Sequence, residues 1–306
     1  MSDGERFDHD AAVDAVRSYF DVLADGEWER LGEDLPGQVS FEVHRRFLAR
    51  FVTPGMRVLE IGAGPGRFTI ALAALGARVV VTDLSAVQLE LNARYVGQAG
   101  HEAAVECRAV VDICNLSRYA DGEFDAVVAY GGPLSYVFDR AGEALSGLLR
   151  VARPDGPVIA SVMSTLGSYR HFLRGVVELA ELHTDDATDR ILATGDLRET
   201  QPPGSGQHTC RMFRSREVEA LVADAGGHVL AGSASNWASL GEPEALARLA
   251  QDPARWARFL DNEVALCEEP GVWDGGTHLL FAVARRLKHP ASPGEPVLDG
   301  FAWARI

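Results

Sequence analysis

The sequence predicts an α/β fold, a doubly wound and mostly parallel seven-stranded sheet with helical lid insertions. From residue 57 onward, apolar strand-like runs alternate with helix-like segments, a pattern that requires a parallel sheet with right-handed crossovers. A glycine-rich turn leads from the first strand into the first helix, and acidic residues follow later strands. These observations indicate a ligand crevice at the carboxyl edge of the sheet.

The elements follow from apolar periodicity and from turn residues. Strands are predicted at 57–61, 78–83, 106–111, 124–130 and 157–163, a strand-like stretch at 208–212, and two final strands at 227–231 and 277–285. Helices are predicted at 11–24, 41–51, 67–75, 86–98, 141–151, 165–182, 185–193, 216–225, 243–251 and 253–267.

These elements suggest five parts of the chain. We expect an N-terminal helical cap, a nucleotide-binding core, a lid insertion, the C-terminal part of the core with its own helical insertion at 236–276, and a tail; their bounds are 1–54, 55–163, 164–207, 208–286 and 287–306. The two insertions together should roof an acceptor site.

The loop Glu60-Ile-Gly62-Ala63-Gly64-Pro-Gly66 lacks side chains where a ligand would approach the backbone. Its G-x-G-x-G spacing differs from the G-x-G-x-x-G of dinucleotide enzymes, and no Lys-Ser/Thr pair follows to hold a triphosphate. The loop is therefore poorly equipped for phosphate.

Polar residues follow three further strands. Asp83 ends the second strand, where a carboxylate can accept two hydrogen bonds from a ribose diol. Asp112 follows the third strand and Tyr130 ends the fourth. Because the carboxyl ends of parallel strands share one edge, these side chains should converge with the glycine loop on one crevice.

Four blocks in order resemble the class I S-adenosylmethionine-dependent methyltransferases, small-molecule type, which have a Rossmann-like sheet. They are the E-x-G-x-G-x-G loop, the acid Asp83, the segment 110–113 with the strand 124–130, and Arg150-Val-Ala-Arg-Pro-Asp-Gly156, in which Asp155 replaces a glycine. The resemblance implies S-adenosylmethionine as cofactor and S-adenosylhomocysteine as product. It also implies a set of cofactor-binding residues: Glu60, Gly62, Ala63, Gly64, Gly66, Asp83, Leu84, Asp112, Ile113 and Tyr130.

Methyl transfer from a sulfonium depends mainly on positioning, and a general base is useful only where the acceptor loses a proton. His208 and His278 begin strand-like segments on the expected acceptor side, and Tyr136 lies in the loop after strand four, where the resembled family often touches its acceptor. We take these three residues as catalytic candidates, although each can equally be an ordinary packing residue. Tyr19, Arg45 and Arg46 are further candidates to reach the carboxylate of the cofactor.

The composition and charge of the chain argue against several classes of protein. The formal net charge of -15 argues against an extended nucleic-acid surface. No run of eighteen apolar residues and no signal peptide is visible, so we expect a cytoplasmic protein without a membrane partner. The four cysteines and the scattered histidines form no metal-binding motif. For the oligomeric state, we keep a homodimer as an alternative to a monomer.

The predicted function is in-line methyl transfer to oxygen, nitrogen or carbon of a small molecule, as in specialised metabolism. The alternatives are a protein or RNA methyltransferase, a protein that keeps the cofactor without transferring methyl, and a nicotinamide oxidoreductase, which the glycine spacing disfavours.

Overall fold

The computed structural model describes residues 9–30, 32, 34–182, 185–198 and 209–286. Within these ranges the chain forms seven strands: β1 Arg57–Ile61, β2 Arg78–Asp83, β3 Val105–Val110, β4 Ala126–Ala129, β5 Val158–Met163, β6 Gly227–Ala234 and β7 His278–Arg285. Its α-helices are α1 His9–Leu23, α2 Gly26–Arg30, α3 Leu35–Ala49, α4 Arg67–Ala74, α5 Ala86–Gln98, α6 Pro133–Tyr136, α7 Ala141–Val151, α8 Thr165–His171, α9 Leu173–Leu182, α10 Asp185–Thr194, α11 Ser215–Asp224, α12 Pro243–Ala250 and α13 Pro253–Cys267.

The strands form one sheet in the order β3-β2-β1-β4-β5-β7-β6. β1 pairs in parallel with β2 on one side and with β4 on the other, so the strand order reverses between β1 and β4. β7 is antiparallel to both of its neighbours, β5 and β6. This arrangement confirms the predicted doubly wound, mostly parallel seven-stranded sheet. The reversal opens a crevice at the carboxyl ends of β1 and β4.

Both faces of the sheet are covered by apolar side chains. Along β1, Leu59 and Ile61 pack into one core layer and Val58 packs into the other, because successive strand residues point to opposite faces. All of β4 is buried. A strand that is buried on both faces has a continuous run of apolar residues, so such strands can be predicted from the sequence.

The N-terminal cap consists of α1, α2 and α3. α3 buries Val39, Val43 and Phe47 in the core layer that contains Val58, and it begins at Leu35 rather than at the predicted residue 41. The carboxylate of Asp34 caps its first turn by accepting the N–H of Gly37 at 2.7 Å. A proline in the first turn costs no hydrogen bond there, so the helix accommodates Pro36.

The insertions differ in detail from the predicted elements. The helix expected over 165–182 is broken at Phe172 into α8 and α9. In the stretch expected as a strand at 208–212, Arg211 makes an isolated antiparallel bridge to Asp196. β6 runs on to Ala234, three residues beyond its expected end. His208 and the tail 287–306 lie outside the described residues.

None of the helices that the structure describes is both long enough and apolar enough to cross a bilayer.

Candidate functional site

The glycine loop turns sharply between β1 and α4. Gly62, Gly64 and Gly66 all have positive φ, at 68°, 52° and 104°. A Cβ on Gly62 would lie 2.6 Å from Cγ of Pro133, and one on Gly66 would lie 2.9 Å from a methyl of Val96. These positions need glycine for both their backbone conformation and the space around them.

Glu60 precedes this loop and supports it through a hydrogen bond to α4. Its side chain is buried, and Oε2 accepts the hydroxyl of Thr69 on α4 at 2.7 Å. Asn92 donates from Nδ2 to the Thr69 hydroxyl at 2.9 Å and to the carbonyl of Gly64 at 3.3 Å. Burial and, to a lesser extent, the nearby Asp83 carboxylate raise the pKa of the Glu60 carboxyl to about 8, although the hydrogen bond from Thr69 opposes this shift. Glu60 therefore holds the loop to α4 and α5.

Asp83 joins the end of β2 to the same loop. Its Oδ2 accepts the N–H of Gly64 at 2.8 Å, and its Oδ1 accepts the N–H of Ser85 at 2.8 Å. Each carboxylate oxygen retains a further lone pair, which can accept a hydroxyl. Burial raises the pKa of Asp83 to about 6, although the backbone N–H groups of Ser85 and Gly64 oppose this shift.

The first of two neighbouring cavities, here called the strand-end cavity, lies at the carboxyl ends of β1, β2 and β4. It contains most of the predicted cofactor residues, together with apolar side chains of α1. Its lining includes Val13, Val16, Gly62, Gly64, Asp83, Leu84, Gln88, Asp112, Ile113 and Tyr130. The walls combine backbone groups, the three carboxylates of Glu27, Asp83 and Asp112, and apolar side chains.

The second cavity, here called the outer cavity, lies beneath the N-terminal cap and the lid insertion. It has a volume of about 610 Å³. Its walls are mainly apolar and aromatic and include two histidines: the lining includes Tyr19, Leu23, Met163, His171, Phe172, Met212, Leu240 and His278. A cavity of this size can bury a small organic molecule.

Among the described residues, three line both cavities, namely Phe20, Glu27 and Tyr136, and the place where they separate the cavities is here called the passage. The rings of Phe20 and Tyr136 meet edge to face, with their centroids 5.4 Å apart. Glu27 also lines a small cavity over the glycine loop. A group that passes from one cavity to the other must pass these side chains.

The cap that covers the passage is fastened to the core through α2. The ring of Trp28 stacks on Tyr95 of α5, with 3.9 Å between centroids and planes 3° apart. The guanidinium of Arg67 lies 4.1 Å over the same indole, and its Nε donates to the Trp28 carbonyl at 2.7 Å. The phenol of Tyr95 donates to Asp25 at 2.5 Å. These contacts fix the position of α2 over the glycine loop.

The structure brings most of the predicted site residues together. Ala63 lines the small cavity over the loop, whereas Glu60 and Gly66 support the loop from behind. Tyr136 lies at the passage and His278 lines the outer cavity. His208 lies outside the described residues, so its placement stays a prediction.

Two other candidates make ion pairs away from the cavities. Arg45 donates to Glu42 at 2.7 Å, and Arg46 donates to Glu42 and to Asp261, both at 2.6 Å. Neither residue lines the strand-end or the outer cavity. Of the residues proposed to reach a cofactor carboxylate, Tyr19 alone lines the outer cavity.

Sequence reasoning missed Glu27 and Gln88. Gln88 donates from Nε2 to the carbonyls of Phe20 and Ala24, at 2.9 and 3.2 Å, and so connects α5 to the end of α1. Its position in the first turn of α5, close after Asp83, was the available signal. Glu27 belongs to a five-residue helix that shows no periodicity.

Within the described ranges, no group of three or more His, Cys, Asp or Glu side chains is arranged to hold a metal ion. The thiols of Cys210 and Cys267 are buried, and burial raises the pKa of Cys210 to about 12.

Comparison with known proteins identifies the family that the core of this chain resembles. The stretch 58–156, from β1 to the turn before β5, matches the family described as methyltransferase domain. Residues 58–156 form a methyltransferase domain. The family resemblance predicted from the glycine loop and the strand ends is thereby confirmed.

One curated relative of this methyltransferase domain is the demethylmenaquinone methyltransferase of Clavibacter sepedonicus. It is 38% identical over 118 residues, which are 38% of this chain and 45% of the relative. The chain thus matches less than half the length of that protein.

Solved structures extend the likeness beyond the methyltransferase domain. The 1,6-didemethyltoxoflavin-N1-methyltransferase of Burkholderia thailandensis has a TM-score of 0.54 at 16% identity and covers 93% of each chain. The magnesium protoporphyrin IX methyltransferase of Synechocystis PCC 6803 has a TM-score of 0.56 at 14% identity, covering 89% of this chain and 98% of its own. At such low identity, these likenesses establish the fold.

Proposed function

We propose that this chain transfers a methyl group from S-adenosylmethionine to an oxygen, nitrogen or carbon atom of a small molecule and releases S-adenosylhomocysteine. The observation that carries the proposal is the pair of neighbouring cavities that share Phe20, Glu27 and Tyr136 in their walls. A donor in the strand-end cavity and an acceptor in the outer cavity would meet at the passage. The relative named demethylmenaquinone methyltransferase and a second relative, the ubiquinone biosynthesis O-methyltransferase of Xanthomonas campestris, carry names of small-molecule methyl transfer, which supports the same class.

Each chemical group of the donor has matching residues in the strand-end cavity. Gly62 and Gly64 expose backbone groups to its amino-acid end, and Asp83 can accept hydrogen bonds from the ribose hydroxyls. Asp112 and Ile113 stand further along the strand edge, where they would flank the adenine. Glu60 contributes indirectly, because it fixes the loop.

The transfer itself needs alignment rather than covalent help. The acceptor lone pair attacks the methyl carbon as the carbon–sulfur bond breaks, and the electron pair of that bond remains on sulfur, which becomes a neutral thioether. Tyr136 at the passage would orient the acceptor. His278 in the outer cavity would take the proton from a hydroxyl or amine acceptor.

The size of the outer cavity favours a small acceptor over a macromolecule. It has a volume of about 610 Å³, and its charged side chains among the described residues include the carboxylates of Glu27 and Asp34 but no Arg or Lys. A nucleic-acid acceptor would call for cationic groups that neutralise phosphates. The runner-up functions are therefore a protein acceptor and a protein that binds the donor without transferring methyl.

The test combines binding with turnover. Calorimetric titration with S-adenosylhomocysteine and with nicotinamide dinucleotide should show binding of the first alone. Incubation with methyl-labelled S-adenosylmethionine and a metabolite extract, followed by mass spectrometry, should show label in a small molecule together with S-adenosylhomocysteine. Binding without any labelled product would favour the non-transferring protein, and label in protein or RNA would overturn the small-molecule acceptor.

A further inference from the structure

The passage between the two cavities is lined by two aromatic rings and a carboxylate. Among the residues that the structure describes, Phe20, Tyr136 and Glu27 line both cavities. Phe20 and Glu27 belong to the N-terminal cap, on α1 and α2, whereas Tyr136 belongs to α6 of the core. Aromatic rings and a carboxylate both attract a cation.

The carboxylate side chain is close to the glycine loop. Glu27 Cγ lies 3.7 Å from the position that a Cβ on Gly64 would occupy. Its charge also adds to the raised pKa of Asp83, which is consistent with its position beside the strand-end cavity. The fastening of Trp28, next along α2, to Arg67 and Tyr95 holds Glu27 in this place.

The geometry of methyl transfer determines where the positively charged sulfur of the donor must lie. This step rests on the proposed function: for the methyl group to reach an acceptor in the outer cavity, the sulfonium that carries it must lie at the passage. When the carbon–sulfur bond breaks, its electron pair stays on sulfur and the methyl carbon bonds to the acceptor. The positive charge therefore leaves the sulfur during the transfer.

We propose that Phe20, Glu27 and Tyr136 form a cation site that binds the sulfonium of S-adenosylmethionine and discriminates against the neutral thioether of S-adenosylhomocysteine. Because two of its members lie on the cap and one on the core, the bound charge draws the cap onto the core. Loss of that charge after transfer weakens this attraction and so favours release of the product.

The test uses ligands that differ at the sulfur position. S-adenosylmethionine and sinefungin carry a positive charge there, whereas S-adenosylhomocysteine is neutral, and all three share the amino-acid and adenosine groups. Calorimetry should show that Glu27→Gln raises the Kd of S-adenosylmethionine by about tenfold. Sinefungin should be affected in the same direction, and the Kd of S-adenosylhomocysteine should change by less than about twofold.

The matched control is Glu29→Gln on the same helix. Glu29 is exposed and lines neither the strand-end nor the outer cavity, so this variant should leave all three affinities unchanged. Phe20→Leu, which keeps the apolar bulk but removes the ring, should also weaken S-adenosylmethionine more than S-adenosylhomocysteine.

The outcomes separate this inference from the proposed function. If the wild-type protein binds neither S-adenosylmethionine nor S-adenosylhomocysteine, the proposed function itself is wrong. If both bind, and Glu27→Gln weakens them equally or not at all, only the sulfonium site is overturned. Retained affinity for S-adenosylhomocysteine in the variant shows at the same time that the strand-end cavity is intact.

Discussion

The carboxylate of Asp83 accepts the backbone N–H of Gly64 at 2.8 Å, which ties the end of β2 to the glycine loop that follows β1. The same carboxylate accepts the N–H of Ser85, so one side chain fixes two backbone segments at the switch point of the sheet. A ligand that hydrogen-bonds to Asp83 is thereby held against the loop. This relationship makes the geometry of the strand-end cavity depend on a single ionised group.

Replacing Asp83 should weaken nucleoside binding. Asp83→Ala removes a charged acceptor for the ribose and two contacts that shape the loop, so we expect a loss of about 1–3 kcal/mol in S-adenosylhomocysteine affinity by calorimetry. Asp155→Asn is the control, because Asp155 is exposed in the turn before β5, at the opposite edge of the sheet. An unchanged affinity in Asp83→Ala would remove this residue from the site.

The same residue predicts how binding depends on pH. The pKa of Asp83 is about 6 in the structure without ligand, and the ionised form is the better acceptor for ribose hydroxyls. Affinity for S-adenosylhomocysteine should therefore rise as the pH increases through about 6 and then level off. Asp83→Asn should bind more weakly and lose this rise. A wild-type affinity that falls over this range would contradict the assignment.

Glu60 predicts a pH dependence of stability. Its pKa rises from 4.5 to about 8 on folding, so folding favours the protonated carboxyl. Its stabilising contribution is fully present below pH 4.5 and is lost as the pH rises through about 8. Urea unfolding without nucleoside should show a free energy that falls with pH over this range.

Glu60→Gln is the matched variant for this measurement. It imitates the neutral acid and can still accept the hydroxyl of Thr69, so its stability should fall less between pH 4.5 and about 8. Asp83, with its pKa also raised, should account for a remaining decline around pH 6. An equal decline in the variant and the wild type would show that Glu60 is not the titrating group.

Two alanine substitutions on neighbouring elements should change the free energy of unfolding in opposite directions. Gly66→Ala forces a positive φ of 104° on alanine and places its Cβ 2.9 Å from Val96, so it should destabilise the fold by at least about 1 kcal/mol. Gly97→Ala lies inside α5 with no atom near the new Cβ, so it should stabilise by about 0.5–1 kcal/mol. Thermal unfolding measures both, and two equal shifts would contradict the account of the loop.

The cap should control how long a nucleoside stays bound. Trp28→Ala removes the stack on Tyr95 and the contact with Arg67, so α2 should open more often and S-adenosylhomocysteine should dissociate faster in stopped-flow measurements. Trp28→Phe keeps an aromatic ring and should restore much of the wild-type rate. If Trp28→Ala leaves the dissociation rate unchanged, the cap does not cover the bound ligand.

His278 should matter for turnover more than for donor binding. Once an acceptor that loses a proton is identified, His278→Ala should lower kcat by about 10²–10⁴-fold, because the general base is lost, while S-adenosylhomocysteine affinity stays near the wild-type value. His228→Ala, at an exposed position of β6, is the control. Wild-type turnover in His278→Ala would exclude it as the base.

The sheet and the glycine loop were predictable because their causes are local. Buried strands read as apolar runs, and Gly62 and Gly66 stand where the backbone and its neighbours leave no room for a side chain. The cap was less predictable. α2 has only five residues, and its position depends on contacts between Trp28 and the distant Tyr95 and Arg67, which no local pattern encodes. Glu27 was missed for this reason.

The lid insertion shows a second limit. The apolar pattern over 165–182 runs through Phe172, where the structure ends α8. α8 packs so closely against the segment before β7 that a Cβ on Gly167 would lie 1.7 Å from the carbonyl oxygen of Gly276. Such tertiary contacts decide where a helix can lie, and the sequence shows only that one can form.

A crystal structure of the complex with S-adenosylhomocysteine would show directly where the nucleoside binds. We expect its amino-acid end against Gly62 and Gly64, its ribose hydroxyls donating to Asp83, and its sulfur at the passage beside Glu27 and Tyr136. A nucleoside bound elsewhere, with the strand-end cavity empty or collapsed, would contradict this expectation.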